Sequence, residues 1–299
     1  MPGTLIKPLQ VILLLTVLVS NVLQGLAQTP AGEKTFKVFD ATLYANKPDL
    51  SVYGLAPITV VYPDSFGRDW YRQNNQELPR KAAVQAVASS VQAKGNPVVL
   101  DVEHWRVWGE KRIIQENLKK YITLLEWMKD VAPILTFGYY GVPPLRNYGA
   151  AQSGLITGEY KGWMWGNDQL KPLADAVDAL YPSLYTFYED RAGWRKFATA
   201  QIAEARRYTA EKPVYVFLWP QYHEINKALA GTYLPEDYWR LELQTARELA
   251  DGIVIWGGWG NNHRPAIWDE NAPWWRVTRE FLADNALASP LPPDGIRVH

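Results

Sequence analysis

The 299-residue sequence contains no cysteine, which excludes disulfide bridges, thiol catalysis and a lipoprotein-type anchoring cysteine. Its four histidines are too few for a histidine-rich metal site. His223-Glu224 lacks the second histidine of a zinc-binding His-Glu-x-x-His helix, so neither metal nor other cofactor is expected. No Gly-x-Ser-x-Gly elbow occurs, which argues against an α/β-hydrolase serine. Charge of one sign is missing as well. The 31 Lys+Arg residues balance 31 Asp+Glu, leaving no basic surplus for nucleic acid or for a strongly acidic polymer.

Long hydrophobic runs are also scarce. The stretch from Val11 to Val19 is apolar but short for a bilayer span. With Lys7 before it and the small residues Gly25 and Ala27 after it, it reads as an export signal over residues 1–27. Gln28 would be the first mature residue, and the product would be secreted or periplasmic, with no stable membrane insertion after cleavage. The remaining roughly 270 residues suit a single catalytic domain, 28–299, large enough to be stable without disulfides.

Aromatic residues are abundant, with 14 Trp and 17 Tyr. Many stand in polar, glycine-rich surroundings such as Lys161-Gly162-Trp163-Met164-Trp165-Gly166-Asn167, which suits a binding surface as well as a core. Short apolar runs alternate with amphipathic stretches, the pattern of βα units around a parallel sheet. Candidate strands are Phe36–Ala41, Ile58–Tyr62, Val98–Val102, Ile134–Tyr139, Ala179–Tyr185, Val214–Trp219 and Gly252–Trp256. Helical patterns cover Lys111–Val131, Trp194–Thr209 and Pro235–Ala250. An open doubly wound sheet is the rival, but no glycine-rich phosphate loop follows the first strand. The expected fold class is α/β, a (β/α)8-type TIM barrel or a distorted or seven-stranded variant of it.

Polar and aromatic residues collect at the carboxyl ends of these strands, where barrel active sites are built. Asp101 and Glu103 end the third strand, Tyr139 and Tyr140 the fourth, Tyr185 the fifth, Trp219 the sixth and Trp256 the seventh. Side chains alternate along a strand, so Asp101 and Glu103 should face the same way. Two carboxylates held together resist ionising together, which keeps a proton available near neutral pH. Trp105 and Arg106 beside them suit a sugar ring better than a metal ion, and Trp259 offers a further stacking surface.

Glycosidic cleavage needs a carboxylic acid to protonate the leaving oxygen and a second group to stabilise an oxocarbenium-like centre. Glu103 is the candidate acid. An i, i+2 partner is poorly placed to attack the opposite face of the ring, so the pair suits a mechanism in which the substrate's own N-acetyl oxygen attacks. A carboxylate nucleophile from Glu189, Asp190 or Glu224 is the alternative. A barrel that only binds glycan, or a buried ion-pair network, are the others.

Asp101-Val102-Glu103-His104-Trp105-Arg106 resembles the Asp-x-Glu-x-Trp-Arg signature of the hyaluronidases, glycoside hydrolase family 56. Ile58-Thr59-Val60-Val61-Tyr62 resembles that family's second strand, and Gly138-Tyr139-Tyr140-Gly141-Val142-Pro143 its segment after the fourth. Ala179-Leu180-Tyr181-Pro182-Ser183-Leu184-Tyr185 and Gly252-Ile253-Val254-Ile255-Trp256-Gly257-Gly258-Trp259 follow in family order. The resemblance implies a distorted barrel that cleaves a β-linked, N-acetylhexosamine-containing glycan with retention. It makes Glu103 the acid/base and gives Asp101 the task of orienting the acetamido group. Tyr140, Tyr185 and Trp256 match the family's substrate-lining aromatics, with Tyr185 near the acetamido or reacting carbon. Val107 replaces the family's usual proline, Trp108 falls one residue early, and the family's disulfides are missing. The expected partner is an oligosaccharide or polysaccharide, and the expected state is a monomer.

Overall fold

The computed structural model describes residues 35–260 and 264–288; the candidate export signal lies outside them. Its strands are β1 (Lys37–Thr42), β2 (Ala56–Pro57), β3 (Thr59–Val61), β4 (Val98–Leu100), β5 (Phe137–Tyr139), β6 (Tyr215–Leu218) and β7 (Gly252–Gly257). All pairings between them are parallel. They form two hydrogen-bonded sheets, β2-β1-β7-β6 and β3-β4-β5.

Two junctions join the sheets into a ring. β2 and β3 are one stretch of chain interrupted only at Ile58. On the other side the segment 179–185 lies between β5 and β6, bridging Tyr181 to Tyr140, Leu180 to Val214 and Ser183 to Phe217. The circuit is a seven-staved parallel barrel, the distorted variant of the TIM architecture. The expected strand over Ala179–Tyr185 is reduced to these bridges because Pro182 has no N–H to donate. Its carbonyl still accepts from the Phe217 N–H at 2.9 Å. The fourth strand starts at Phe137 rather than Ile134, whose side chain is exposed in the preceding turn.

The helices are α1 (Arg68–Gln73), α2 (Lys81–Lys94), α3 (Lys111–Lys129), α4 (Tyr148–Ser153), α5 (Gly158–Asp168), α6 (Lys171–Ala176), α7 (Arg191–Tyr208), α8 (Glu236–Leu249) and α9 (Pro273–Ala288). In α3 the buried residues Ile114, Leu118, Tyr121, Leu125 and Met128 recur at helical spacing and form one apolar stripe. Burying each such side chain stabilises the fold by about 2 kcal/mol. α8 carries Glu236 and Asp237 in its first turn, where negative charge interacts favourably with the positive end of the helix dipole.

Strand alternation sorts the apolar residues into two layers. Phe39, Val99, Tyr140, Tyr181, Phe217 and Val254 belong to a cluster inside the barrel. Val38, Val98, Leu100, Phe137, Tyr139, Val216 and Ile253 belong to the layer between barrel and helices. Gly138 is required by the inner packing. A Cβ there would stand 2.4 Å from the Ala179 carbonyl oxygen and 2.6 Å from the Tyr181 ring. Phe39, Tyr181 and Tyr215 fill the barrel interior below its carboxyl-terminal mouth.

Candidate active site

Asp101 and Glu103 leave the end of β4 with the parity of Val99, the strand's inward-facing residue. The Asp101 N–H donates to the Val61 carbonyl at 2.9 Å, which continues the ladder one step past the strand. Both carboxylates line a cavity of about 370 Å³ at the mouth of the barrel, together with Tyr140, Arg146, Tyr185, Trp219, His223, Trp256 and Trp259.

The two carboxyl groups are not equivalent. Asp101 lies deeper, and burial followed by the nearby Glu103 charge pushes its pKa up to about 7. Glu103 opens onto the cavity, yet protein surrounds its carboxyl closely enough that lost solvation raises its pKa too. The Arg146 guanidinium opposes that rise. A concave site produces this combination of access for a ligand and poor solvation for a charge. The pair holds a proton at near-neutral pH and can deliver it to a leaving group.

Aromatic side chains build the walls. Tyr185 stacks on Trp256 with ring centroids 5.8 Å apart and meets Trp219 edge-on at 5.5 Å. Its hydroxyl, buried beside Tyr140 and the Asp101 charge, stays protonated far above neutral pH, so it is a neutral hydrogen-bonding group. The Tyr140 hydroxyl lies 3.0 Å from Ser183 Oγ. Trp256 Nε1 donates to the Tyr62 hydroxyl at 3.0 Å, which fixes the plane of its ring.

Several of these residues were not singled out in the sequence as site residues. Arg146 follows an apolar Val-Pro-Pro-Leu run after β5, and its only sequence signal is a lone cation in that run. It donates to Ser183 Oγ at 3.3 Å. Helix α5 sets its position through Leu145: the Leu145 N–H donates to Asn167 Oδ1 at 2.8 Å, and its carbonyl accepts from Trp163 Nε1 at 2.8 Å. His223 is held neutral by burial and then by the Arg146 charge. Its Nδ1 accepts from the Ile225 N–H at 3.1 Å, so Nε2 carries the proton and is a donor.

Other expected residues are placed differently. Tyr139 faces the helices and donates to the Tyr121 carbonyl at 2.8 Å. It is a core residue, contrary to its expected contact with substrate, because it has the outward parity of Phe137. Trp105 is buried to 1% exposure, with Nε1 donating to the Asn75 carbonyl at 2.7 Å. It backs a recess of about 170 Å³ beside Glu103 and Arg106, and most of its ring is packing. The Arg106 guanidinium sits 4.9 Å from the centre of the Trp108 ring. Of the alternative nucleophiles, Asp190 caps α7 by accepting from the Gly193 N–H at 2.8 Å, which removes it from the cleft. Glu189 does not line the cavity, whereas Glu224 does.

Among the described residues no group of three or more His, Asp or Glu side chains could hold a metal ion. No described helix is long and apolar enough to cross a membrane.

The sequence profile of the hyaluronidase family, glycoside hydrolase family 56, matches residues 68–266. The fold is similar to the crystal structure of bee venom hyaluronidase, with 19% identity and a TM-score of 0.59 over 83% of this chain and 97% of that one. The same bee enzyme in complex with a hyaluronic acid tetramer matches with 18% identity and a TM-score of 0.56, over 83% and 96%. No protein of curated function matches the sequence. The matched segment spans the carboxylate pair, Arg146, Tyr185 and the β7 tryptophan, while Val60 and Tyr62 on the β3 side of the site precede it. The chain belongs to the hyaluronidase family of glycoside hydrolases.

Proposed function

We propose that this chain cleaves a β-linked glycan containing N-acetylhexosamine, with retention of configuration and with the substrate's acetamido oxygen as nucleophile. The observation that carries the reading is the carboxylate pair on one face of the β4 end, both members raised in pKa, beneath neutral hydroxyl groups of Tyr140 and Tyr185. Glu103 gives its proton to the glycosidic oxygen as the bond from that oxygen to the anomeric carbon breaks. The acetamido carbonyl oxygen bonds to the anomeric carbon from the other face. Asp101 accepts from the acetamido N–H as positive charge develops there. Water then attacks the anomeric carbon, its bond to the acetamido oxygen breaks, and Glu103 takes up the water's proton.

Tyr185 donates beside the acetamido group, and Trp256 and Trp219 supply apolar faces for the sugar. Arg106, Arg146 and Trp259 contact neighbouring parts of the glycan. Residues 28–299 form the single catalytic domain, and residues 1–27 direct export to the periplasm or exterior. The working unit is a monomer. The bee enzyme's hyaluronic acid tetramer makes hyaluronan one test substrate, and neutral N-acetylated glycans are the others, because the cavity contains as many acidic as basic side chains or more.

The deciding experiment is Glu103→Gln assayed on hyaluronan, chondroitin and N-acetylglucosamine polymers, with products followed by NMR. Activity should fall at least a hundredfold with the fold intact, as expected for loss of a general acid, and the first product should keep the β configuration. Activity close to wild type, or an α product, refutes the reading. Glu224 lines the same cavity and supports a second reading as a conventional nucleophile. Glu224→Gln separates the two: turnover persists under substrate assistance and collapses if Glu224 attacks.

A further inference from the structure

The cleft does not end at Glu103. The recess beside that carboxylate shares Trp108, Leu145 and Arg146 with a second cavity of about 730 Å³. This larger space lies against α5, and its walls include Trp108, Trp163, Trp165, Glu159 and Gly162. Buried Trp163 is committed to its bond with Leu145, but its neighbours are not. Trp108 exposes 60% of its surface and Trp165 exposes 50%, in a protein whose other tryptophans mostly pack inside. Arg106 covers part of the Trp108 indole and orients it.

Two exposed indoles flanking a concave space leave apolar area in water at a cost that a ligand removes. A pyranose ring, apolar on its faces and polar at its edge, is the matching shape. Charge in the space is mixed, with Arg146 and Glu159 both on its walls, which favours an uncharged ring over a uronate. Room is available as well. Gly162 sits within α5, where glycine weakens a helix relative to alanine, and an added Cβ would meet nothing within 4 Å.

We propose that the cavity between Trp108 and Trp165 is a remote subsite that binds an uncharged sugar ring of a glycan whose scissile bond lies at Glu103. This rests on the glycosidase reading of the cleft.

The test is kcat/KM on β-linked N-acetylglucosamine oligomers and on hyaluronan oligomers, each from dimer to octamer. For wild type, kcat/KM climbs with length. Trp165→Ala, which removes an exposed ring, and Gly162→Phe, which fills the cavity, each cut the gain for the longest oligomers by roughly five- to tenfold. A length profile unchanged in Trp165→Ala overturns the proposal. Calorimetry with the same oligomers and Glu103→Gln separates this proposal from the one it rests on. Affinity that grows with length and is weakened by Trp165→Ala supports the subsite even in a protein that releases no reducing ends. Affinity independent of length, or no binding of either series, removes it.

Discussion

Tyr139 and Tyr140 are neighbours in sequence with opposite destinations. The Tyr139 hydroxyl donates to the Tyr121 carbonyl at 2.8 Å, between barrel and helices. The Tyr140 hydroxyl lies 3.0 Å from Ser183 Oγ, inside the barrel mouth. One step along the strand changes a core residue into a site residue. Tyr139→Phe should lower stability by about 1 kcal/mol and leave kcat/KM unchanged. Tyr140→Phe should lower kcat/KM with little change in melting. Parallel losses of activity in both variants would show that the division is wrong.

The pair also sets the pH profile. Asp101, raised to about 7 by burial and by Glu103, and Glu103, raised by burial, share a proton that leaves as pH climbs. Because the acid form of Glu103 does the work, kcat/KM should decline on the alkaline side, at a pH above the ordinary carboxylate range. Arg146 favours ionised Glu103, so Arg146→Gln should move that decline to higher pH. Asp101→Asn should move it to lower pH, since the like-charge repulsion between the two carboxyls is mutual. A limb that stays in place in both variants means another group controls the profile.

Much of this site was legible in the sequence because strand alternation and strand-end position are local. Asp101, Glu103, Tyr140, Tyr185, Trp256 and Trp259, marked by strand-end position or by the family resemblance, line one cavity. The sequence reading erred where a parity or a cap decided the outcome. Tyr139 and Tyr140 are adjacent aromatics at one strand end, and only Tyr140 can face inward. Asp190, an alternative nucleophile by its position, is instead a helix cap that accepts from the Gly193 N–H. Arg146 and His223 were not legible as site residues, because long-range packing places them. Leu145 is pinned by Trp163 and Asn167, about twenty residues on in the chain, and no local pattern records that.

The same clamp gives a prediction for a residue away from the cavity around Glu103. Asn167 is fully buried, and its Oδ1 holds the Leu145 N–H. Asn167→Ala should leave that N–H unpaired, at a cost of about 1–3 kcal/mol, and loosen Arg146. Stability should drop, and the alkaline limb should move in the direction of the Arg146→Gln variant. A stability loss with an unmoved pH profile would confine Asn167 to packing.

Glu242 predicts how stability varies with pH. It is fully buried on α8, where the Thr186 hydroxyl donates to Oε1, and burial lifts its pKa well above the usual carboxylate range. Thr186 in turn follows Tyr185, and its carbonyl accepts from the His223 N–H at 2.8 Å, so Glu242 supports two walls of the cleft. An unfolded glutamate ionises near pH 4.3, as a rough reference, whereas the folded one keeps its proton beyond that. Above that pH the folded state therefore binds more protons than the unfolded state. This one group then costs about 1.4 kcal/mol of stability for each further pH unit, until its folded pKa is passed. Glu242→Gln keeps an acceptor for Thr186 and removes the titration. The melting temperature of Glu242→Gln minus that of wild type should therefore rise steadily between pH 5 and pH 7, as read by calorimetry in matched buffers. A difference that does not depend on pH would mean that Glu242 is already ionised in the fold, with a counter-charge beside Thr186.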